Sequence, residues 1–295
     1  MPEIPNRIVV LTGATAGIGR NAAQVIAKEP DTRVMIGARG SGRTAPEGCE
    51  LLSLDLMSLD SVRAFAEEVK QRLGERKIDA LVLNAGLQNS DSTQRTAEGF
   101  EVTFGVNHLA HYLLARLLIS AIADGGRLVI TTSDTHDPTI IPIGPTTLDP
   151  QALAHPNAKT TRMGAYATSK LCNLLTARSF AALDEVSGRD ITVIAYNPGL
   201  TPGTSLIGDL PSVAQTAMRV LRPLMRLISR FKPAFYPGTV ERAGQALAEL
   251  TLGTVTPLPG GSTSPWSKNR SPSRTRRSWP ATTTPATCCG SRARP

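Results

Sequence analysis

Short runs of apolar, often β-branched residues recur along the chain, separated by stretches with helical spacing of apolar positions. The runs occupy residues 8–11, 33–38, 51–54, 80–83, 128–132 and 191–195. A helical pattern follows the first run at 21–28, and another closes the series at 238–252. Such alternation is typical of a parallel sheet covered on both faces. It predicts an α/β fold: a single doubly wound, Rossmann-type parallel sheet with helices on both faces.

Two connections depart from this pattern. Residues 40–50, between the second and third runs, have a Gly/Ser/Pro/Glu content that is poor for a helix. Parallel strands normally need a crossover of about a dozen residues or more. We therefore predict a short loop without a helix here, which leaves part of one sheet face thinly covered. The proline-rich segment 134–162 is predicted to be a long loop over the site, where it shapes specificity.

A glycine-rich turn, Thr12-Gly13-x-x-x-Gly17-x-Gly19, lies between the first run and the helical pattern after it. This strand–turn–helix order is the context of a phosphate-binding loop. The glycines permit a tight turn and a close approach of the backbone to a pyrophosphate, and the N–H groups at the helix start face the anion. A glycine turn alone is weak evidence, so its weight depends on the later motifs.

Polar or small residues follow the later runs. The third run is followed by Asp55-Leu56, the fourth by Asn84-Ala85-Gly86, the fifth by Ser133 and the sixth by Asn197-Pro198-Gly199. Ligands of open α/β sheets bind beyond the carboxyl ends of the strands, so these groups are predicted to share one site. There Asp55 accepts a hydrogen bond from adenine, and the turn at 84–86 lies beside a ribose.

Tyr166 and Lys170 lie four residues apart in a helical segment and therefore share one face. A free phenol has a pKa near ~10 and is a poor acid or base at neutral pH. A neighbouring ammonium favours the phenolate, so we expect Lys170 to lower the pKa of Tyr166 and make the phenol a general acid or base.

The glycine turn, Asn84-Ala85-Gly86, Asn107, Ser133, Tyr166-x-x-x-Lys170 and Asn197-Pro198-Gly199 together resemble the short-chain dehydrogenase/reductase family, over roughly residues 5 to 255. The segments 105–114 and 169–175 are similar to the retinol dehydrogenase and protochlorophyllide reductase branch.

The resemblance implies a role for each matching position. Tyr166 becomes the proton donor or acceptor, and Lys170 lowers its pKa and holds the nicotinamide ribose. Ser133 hydrogen-bonds the substrate oxygen, and Asn107 holds a water that relays protons to Lys170. The nicotinamide carries the hydride chemistry. The cofactor-binding positions are then Gly13, Thr15, Gly17, Ile18, Gly19, Arg39, Asp55, Leu56, Asn84, Ala85, Gly86, Tyr166, Lys170, Pro198, Gly199 and Thr201, with Thr204 as the alternative to Thr201.

Cofactor choice is predicted from Arg39. The second run ends without the acidic residue that grips the ribose 2′-hydroxyl in NAD-specific sites, and an arginine pairs with a 2′-phosphate instead. NADP(H) is therefore favoured; a solvated Arg39 with NAD(H) in use as well is the alternative. His136 with Asp137 makes a poor metal site, so we expect no metal.

Charge and composition separate the end of the chain from the rest. The net charge is +8, but residues 261–295 contain seven Lys or Arg and no acid, which leaves +1 for the remainder. We therefore divide the chain into a nucleotide-binding domain, 1–258, and a basic Ser/Thr/Pro-rich tail, 259–295, predicted to be disordered. Because a shifted reading frame would restore strand-like and helix-like patterns near residue 260, we keep the hypothesis that the tail is a frameshift product. DNA of a relative with the same tail in frame would exclude it.

An apolar stretch at 213–231 carries a stripe of arginines: Arg219, Arg222, Arg226 and Arg230. It is interpreted as a lid helix over a lipophilic substrate, with peripheral contact to anionic lipid as the alternative. With no signal peptide or spanning segment in the sequence, we expect a cytoplasmic protein. We expect no specific nucleic-acid partner, and a homo-oligomer is in keeping with the family.

The predicted function is hydride transfer between NADP(H) and a carbonyl or alcohol of a lipophilic small molecule. Two alternatives stay open. One is reduction of a ring C=C bond, as in protochlorophyllide reductases. The other is a non-catalytic NADP(H)-binding protein.

Overall fold

Six parallel strands form one sheet in the computed structural model, which describes residues 6–40, 42, 44–89, 91, 93–140, 148–156, 161–201 and 238–255. They are β1 (Arg7–Thr12), β2 (Thr32–Ala38), β3 (Cys49–Ser53), β4 (Ile78–Leu83), β5 (Ile122–Thr131) and β6 (Thr192–Tyr196). Their order is β3-β2-β1-β4-β5-β6, and every neighbouring pair is parallel. The order reverses direction between β1 and β4, which is where an open α/β sheet leaves a crevice for a ligand.

The described helices are α1 (Gly17–Ile26), α2 (Leu59–Leu73), α3 (Val102–Phe104), α4 (Ala110–Leu118), α5 (Pro150–Ala154), α6 (Arg162–Ala181), α7 (Asp184–Ser187) and α8 (Val240–Leu252). A π-helical turn, Gly105–Leu109, joins α3 to α4. Side-chain caps fix several starts: the Thr161 hydroxyl accepts from Gly164 N at the start of α6, and Thr239 caps α8. No helix in the described part of the chain is long and apolar enough to cross a bilayer.

Both faces of the sheet are covered, each by its own apolar core. Successive side chains of β1 point to opposite faces, so Ile8 and Val10 join one core while Val9 and Leu11 join the other, all four with no exposed surface. Helices α2, α4 and α6 pack on the first face, and α1 and α8 pack together on the second. The predicted doubly wound sheet is confirmed.

The two unusual connections differ in outcome. Between β2 and β3 the described residues form turns without a helix, and Leu51 of β3 is 38% exposed. The predicted crossover without a helix is therefore confirmed. The predicted long loop at 134–162 instead contains two short elements among its described residues, a 3-10 turn at Asp134–His136 and α5. Asp149 caps α5, and Pro150 occupies its first turn, where a missing N–H costs nothing.

The lid predicted at residues 200–236, which includes the stretch at 213–231, lies outside the described residues except for Leu200 and Thr201. The tail 259–295 also lies outside them.

Candidate active site

A cavity of about 380 Å³ lies at the carboxyl edge of the sheet, at the point between β1 and β4 where the strand order reverses. Most of the positions expected to bind cofactor line it: Gly13, Thr15, Gly17, Ile18, Gly19, Arg39, Asp55, Leu56, Asn84, Ala85, Gly86, Tyr166, Lys170 and Pro198. The structure therefore brings the glycine turn, the ends of the strands and the Tyr–Lys pair to one opening, within the usual size range of small-molecule sites.

The glycine turn has no room for side chains at two of its positions. A Cβ on Gly13, whose φ is +69°, would lie 2.6 Å from Ala85 Cα. A Cβ on Gly19 would lie 2.2 Å from the carbonyl oxygen of Gly13. The backbone therefore folds tightly against the turn after β4, and the first N–H groups of α1 stay open toward the cavity. This cradle fits a pyrophosphate.

Thr12 and Asn84 hold that turn together. The Thr12 hydroxyl accepts from the backbone N–H groups of Asn84 (3.0 Å) and Ala85 (3.2 Å). The Asn84 amide in turn donates to the carbonyl of Gly13 at 3.3 Å. Asn84 therefore acts through the backbone it fixes, while its neighbours Ala85 and Gly86 add small walls to the cavity.

Arg39 and Asp55 lie at the adenosine end expected from the sequence. Arg39 is the first residue after β2, and its Nη1 is 4.0 Å from Met57 Sδ. The Asp55 carboxylate accepts from Met57 N at 3.0 Å and is the one acidic side chain on the described walls. A positive charge therefore borders this end, with no carboxylate at the end of β2.

Tyr166 and Lys170 project from successive turns of α6 and are buried, with 7% and 2% exposure. Lys170 Nζ lies 5.6 Å from the centroid of the Tyr166 ring and donates to the Thr131 carbonyl at 3.2 Å. A Cβ on Gly86 would be 3.4 Å from Nζ. The ammonium therefore faces the ring and the turn after β4, with no carboxylate partner among the described residues.

The expected lowering of the Tyr166 pKa is wrong for this structure. Burial raises that pKa to about 12, and a side-chain hydrogen bond with Ser133 only partly opposes the increase. Burial also lowers the pKa of Lys170 to about 8. Removing a phenol and an ammonium from water disfavours the charged form of each. The phenol is thus protonated at neutral pH, in the form that donates a proton.

Asn107 lies in the π-helical turn and fixes the backbone beyond Gly86. Its Oδ1 accepts from Leu87 N (2.8 Å), and its Nδ2 donates to Leu87 O (2.9 Å) and to Ser169 Oγ (3.1 Å). Both amide hydrogens are therefore used in protein contacts. The relay water expected at Asn107 stays a prediction.

Four predicted residues are absent from the described walls of the cavity: Asn107, Ser133, Gly199 and Thr201. Ser133 nonetheless reaches the Tyr166 hydroxyl. The Thr201 hydroxyl contacts the carbonyls of Pro198 (3.2 Å) and Gly199 (3.3 Å) within its own loop. Thr204 lies outside the described residues.

The structure adds residues that sequence reasoning missed. Leu87, Gln88, Val106, Thr131 and Thr132 line the cavity. Each is next to a predicted motif, so extending every motif by two residues would have found them. The contact between Thr12 and His111, behind the wall, gives no such signal, because the hydroxyl and the imidazole meet across 99 positions of sequence.

Comparison with known proteins identifies the family. Residues 7–140 match the family model described as short chain dehydrogenase. DnrU of Streptomyces sp. (strain C5), named as a daunorubicin C-13 ketoreductase, is 36% identical over 66% of this chain and 66% of its own length. Mouse polyprenol dehydrogenase is 34% identical over 75% and 67%. Human retinol dehydrogenase 12 is 33% identical over 67% and 62%.

The chain spans about two thirds, or less, of the length of the curated relatives that it matches. Among solved structures, a short chain dehydrogenase from Burkholderia cenocepacia J2315 in complex with NADP has a TM-score of 0.61 at 21% identity, covering 84% of this chain and 91% of its own. That likeness concerns the fold. This chain belongs to the short-chain dehydrogenase family of oxidoreductases, with retinol dehydrogenases among its relatives.

Proposed function

We propose that this protein is an NADP(H)-dependent reductase of a carbonyl group on a lipophilic small molecule, with Tyr166 as proton donor. One observation carries the proposal: a single cavity joins the glycine cradle and Arg39 to a buried, protonated phenol. Burial raises the pKa of Tyr166, so the phenol of the free protein is held in its proton-donating form.

Three side chains have distinct roles in the proposed reduction. The glycine cradle and Arg39 would hold NADPH, which would supply the hydride for the carbonyl carbon. Tyr166 donates its phenolic proton to the carbonyl oxygen as negative charge develops there, and Ser133 hydrogen-bonds the same oxygen. Lys170, a cation below pH 8, stabilises the tyrosinate left behind until a proton returns from solvent. The products are an alcohol and NADP⁺.

The substrate class is proposed from the sequence and from the relatives. The apolar stretch at 213–231 lies outside the described residues, and its role as a lid stays a proposal. Two of the relatives are named for their action on a polyprenol and on retinol. We therefore propose an apolar ketone or aldehyde as substrate.

Cofactor choice is tested by titrating the purified protein with NADPH and with NADH and following nicotinamide fluorescence. Arg39→Leu is expected to raise the Kd for NADPH about tenfold or more, since a charge-assisted contact contributes about 1.5–3 kcal/mol, while the Kd for NADH stays within about twofold. Arg63→Leu, an exposed arginine of α2, is the matched control and should change neither. Equal affinities in the wild type would contradict the assignment of Arg39.

Catalysis is tested on a panel of aromatic ketones, retinal and long-chain aldehydes. Tyr166→Phe should bind NADPH within about threefold of the wild type and turn over at least about 100-fold more slowly. Tight NADPH binding with no reduction of any member, by wild-type protein, would favour the non-catalytic alternative instead.

A further inference from the structure

His111 lies behind the cavity wall, in α4, and joins two parts of the site. Its Nε2 is 2.9 Å from the Thr12 hydroxyl oxygen, and its Nδ1 is 3.2 Å from the backbone oxygen of Asn107. The residue is 2% exposed. Nδ1 bonds within its own helical segment, whereas Nε2 reaches the end of β1, so the ring connects β1 to the π-helical turn.

The hydrogen-bond partners fix which nitrogen carries the proton. A backbone carbonyl can only accept, so Nδ1 of His111 donates to Asn107 O. Burial keeps the ring neutral, and Nε2 therefore accepts from the Thr12 hydroxyl. The Thr12 oxygen still accepts from Asn84 N and Ala85 N. Every donor and acceptor in this series of hydrogen bonds is used, so the series has one arrangement.

The two ends of this series of hydrogen bonds lie beside different parts of the site. On the Thr12 side are the backbone groups that shape the nucleotide cradle, because Ala85 packs against Gly13. On the Asn107 side is the amide that clamps Leu87 and Ser169, beside the helix that carries Tyr166 and Lys170. Each hydrogen bond of the imidazole therefore supports a different end of the site.

We propose that His111 is a positioning residue that supports both the nucleotide cradle and the proton-donating end of the site, each through its own hydrogen bond. The bond to Thr12 sets cofactor affinity, and the bond to Asn107 sets the rate of proton delivery. This inference rests on the proposed reductase function.

Two amide substitutions of His111 each keep one of its two hydrogen bonds and remove the other. His111→Asn places an amide nitrogen near the position of Nδ1 and keeps the donor to Asn107 O while losing Thr12. His111→Gln places an amide oxygen near the position of Nε2 and keeps the acceptor for Thr12 while losing Asn107 O. We expect His111→Asn to raise the Kd for NADPH about fivefold with kcat within twofold, at the ~1 kcal/mol of one hydrogen bond. His111→Gln should lower kcat about fivefold or more with Kd within twofold.

Thr12→Val supplies a second test of the Thr12 side; because it also removes the acceptor for Asn84 N and Ala85 N, it should raise the Kd for NADPH at least as much as His111→Asn. His108→Asn is the matched control: His108 is a partly buried neighbour on the same helical segment that bonds to Asn173, and its replacement should lower stability without separating Kd from kcat. Urea unfolding of each variant measures the stability change.

The outcomes distinguish this inference from the proposed function. A raised Kd with unchanged kcat in His111→Asn, together with a lowered kcat and unchanged Kd in His111→Gln, supports the inference. Parallel changes in Kd and kcat that follow the loss of stability in both variants would make His111 a structural core residue and overturn the inference alone. Wild-type protein that binds no NADPH would overturn the proposed function and this inference with it.

Discussion

Replacing Lys170 by methionine is expected to stabilise the free protein at neutral pH while abolishing turnover. Lys170 is 2% exposed, and its ammonium donates a hydrogen bond to the Thr131 carbonyl at 3.2 Å. Among the described residues no carboxylate offsets its charge. A buried unpaired cation destabilises the folded state, because the unfolded chain hydrates it fully.

The pKa of Lys170 gives the magnitude. It falls from 10.5 to about 8 on folding, which corresponds to about 3 kcal/mol at ~1.4 kcal/mol per pKa unit. Methionine loses the hydrogen bond to the Thr131 carbonyl, at about 1 kcal/mol, although that oxygen still accepts from Asn173 Nδ2 at 3.1 Å. The net expectation is a gain of about 1–3 kcal/mol in the free energy of unfolding at pH 7.

The pH dependence is the specific signature. Because the folded pKa lies below the unfolded one, the unfolded state binds more protons between about pH 8 and 10.5, so the stability of the wild type rises with pH in that window. Below pH 8 the full difference between variant and wild type is present. Toward pH 10.5 the difference should shrink until only the small packing and hydrogen-bond effects remain.

Urea unfolding at pH 7 and at pH 10.5 measures both quantities. Lys70→Met is the control, since Lys70 has a 37% exposed side chain on α2, paired to Glu67, and its loss should change stability by about 0.5 kcal/mol or less at either pH. A Lys170→Met protein less stable than the wild type at pH 7, or a stabilisation unchanged at pH 10.5, would refute the reasoning.

Three further predictions concern the cradle and the core. Gly19→Ala should abolish NADPH binding in a fluorescence titration, because its Cβ would lie 2.2 Å from a backbone oxygen. Gly125→Ala is the control, since Gly125 has a φ of +72° and open space around it. This change should cost about 1 kcal/mol of stability and leave NADPH binding intact. Burial lowers the pKa of His108 to about 4 and that of His111 to about 3, so the unfolded state binds more protons than the folded state between about pH 4 and 6.5. The free energy of unfolding, measured by urea titration, should therefore fall from pH 6.5 to 4 by up to ~1.4 kcal/mol per pH unit for each ring. Tyr196→Phe should cost about 1 kcal/mol in the same assay, since its buried hydroxyl donates to a backbone carbonyl of α8 at 2.7 Å.

Local pattern was enough to predict the architecture and most of the cavity. A parallel strand buried on both faces has to be a short apolar run, and the residue after it has to meet the ligand. Gly13, Arg39, Asp55 and Tyr166 were found in that way, because their position relative to a strand or helix end is itself a sequence property. The helix-free crossover before β3 followed from composition alone.

Burial and contacts between distant residues could not be predicted from the sequence. The spacing of Tyr166 and Lys170 suggested a lowered phenol pKa, but only the packing of α6 shows that both groups leave water and that the ammonium faces the ring and a carbonyl. The bond between Thr12 and His111 likewise depends on how β1 and α4 meet. Sequence spacing determines which residues share a strand end or a helix face, whereas a pKa depends on every atom that replaces water, and those atoms are brought together only by the folded chain.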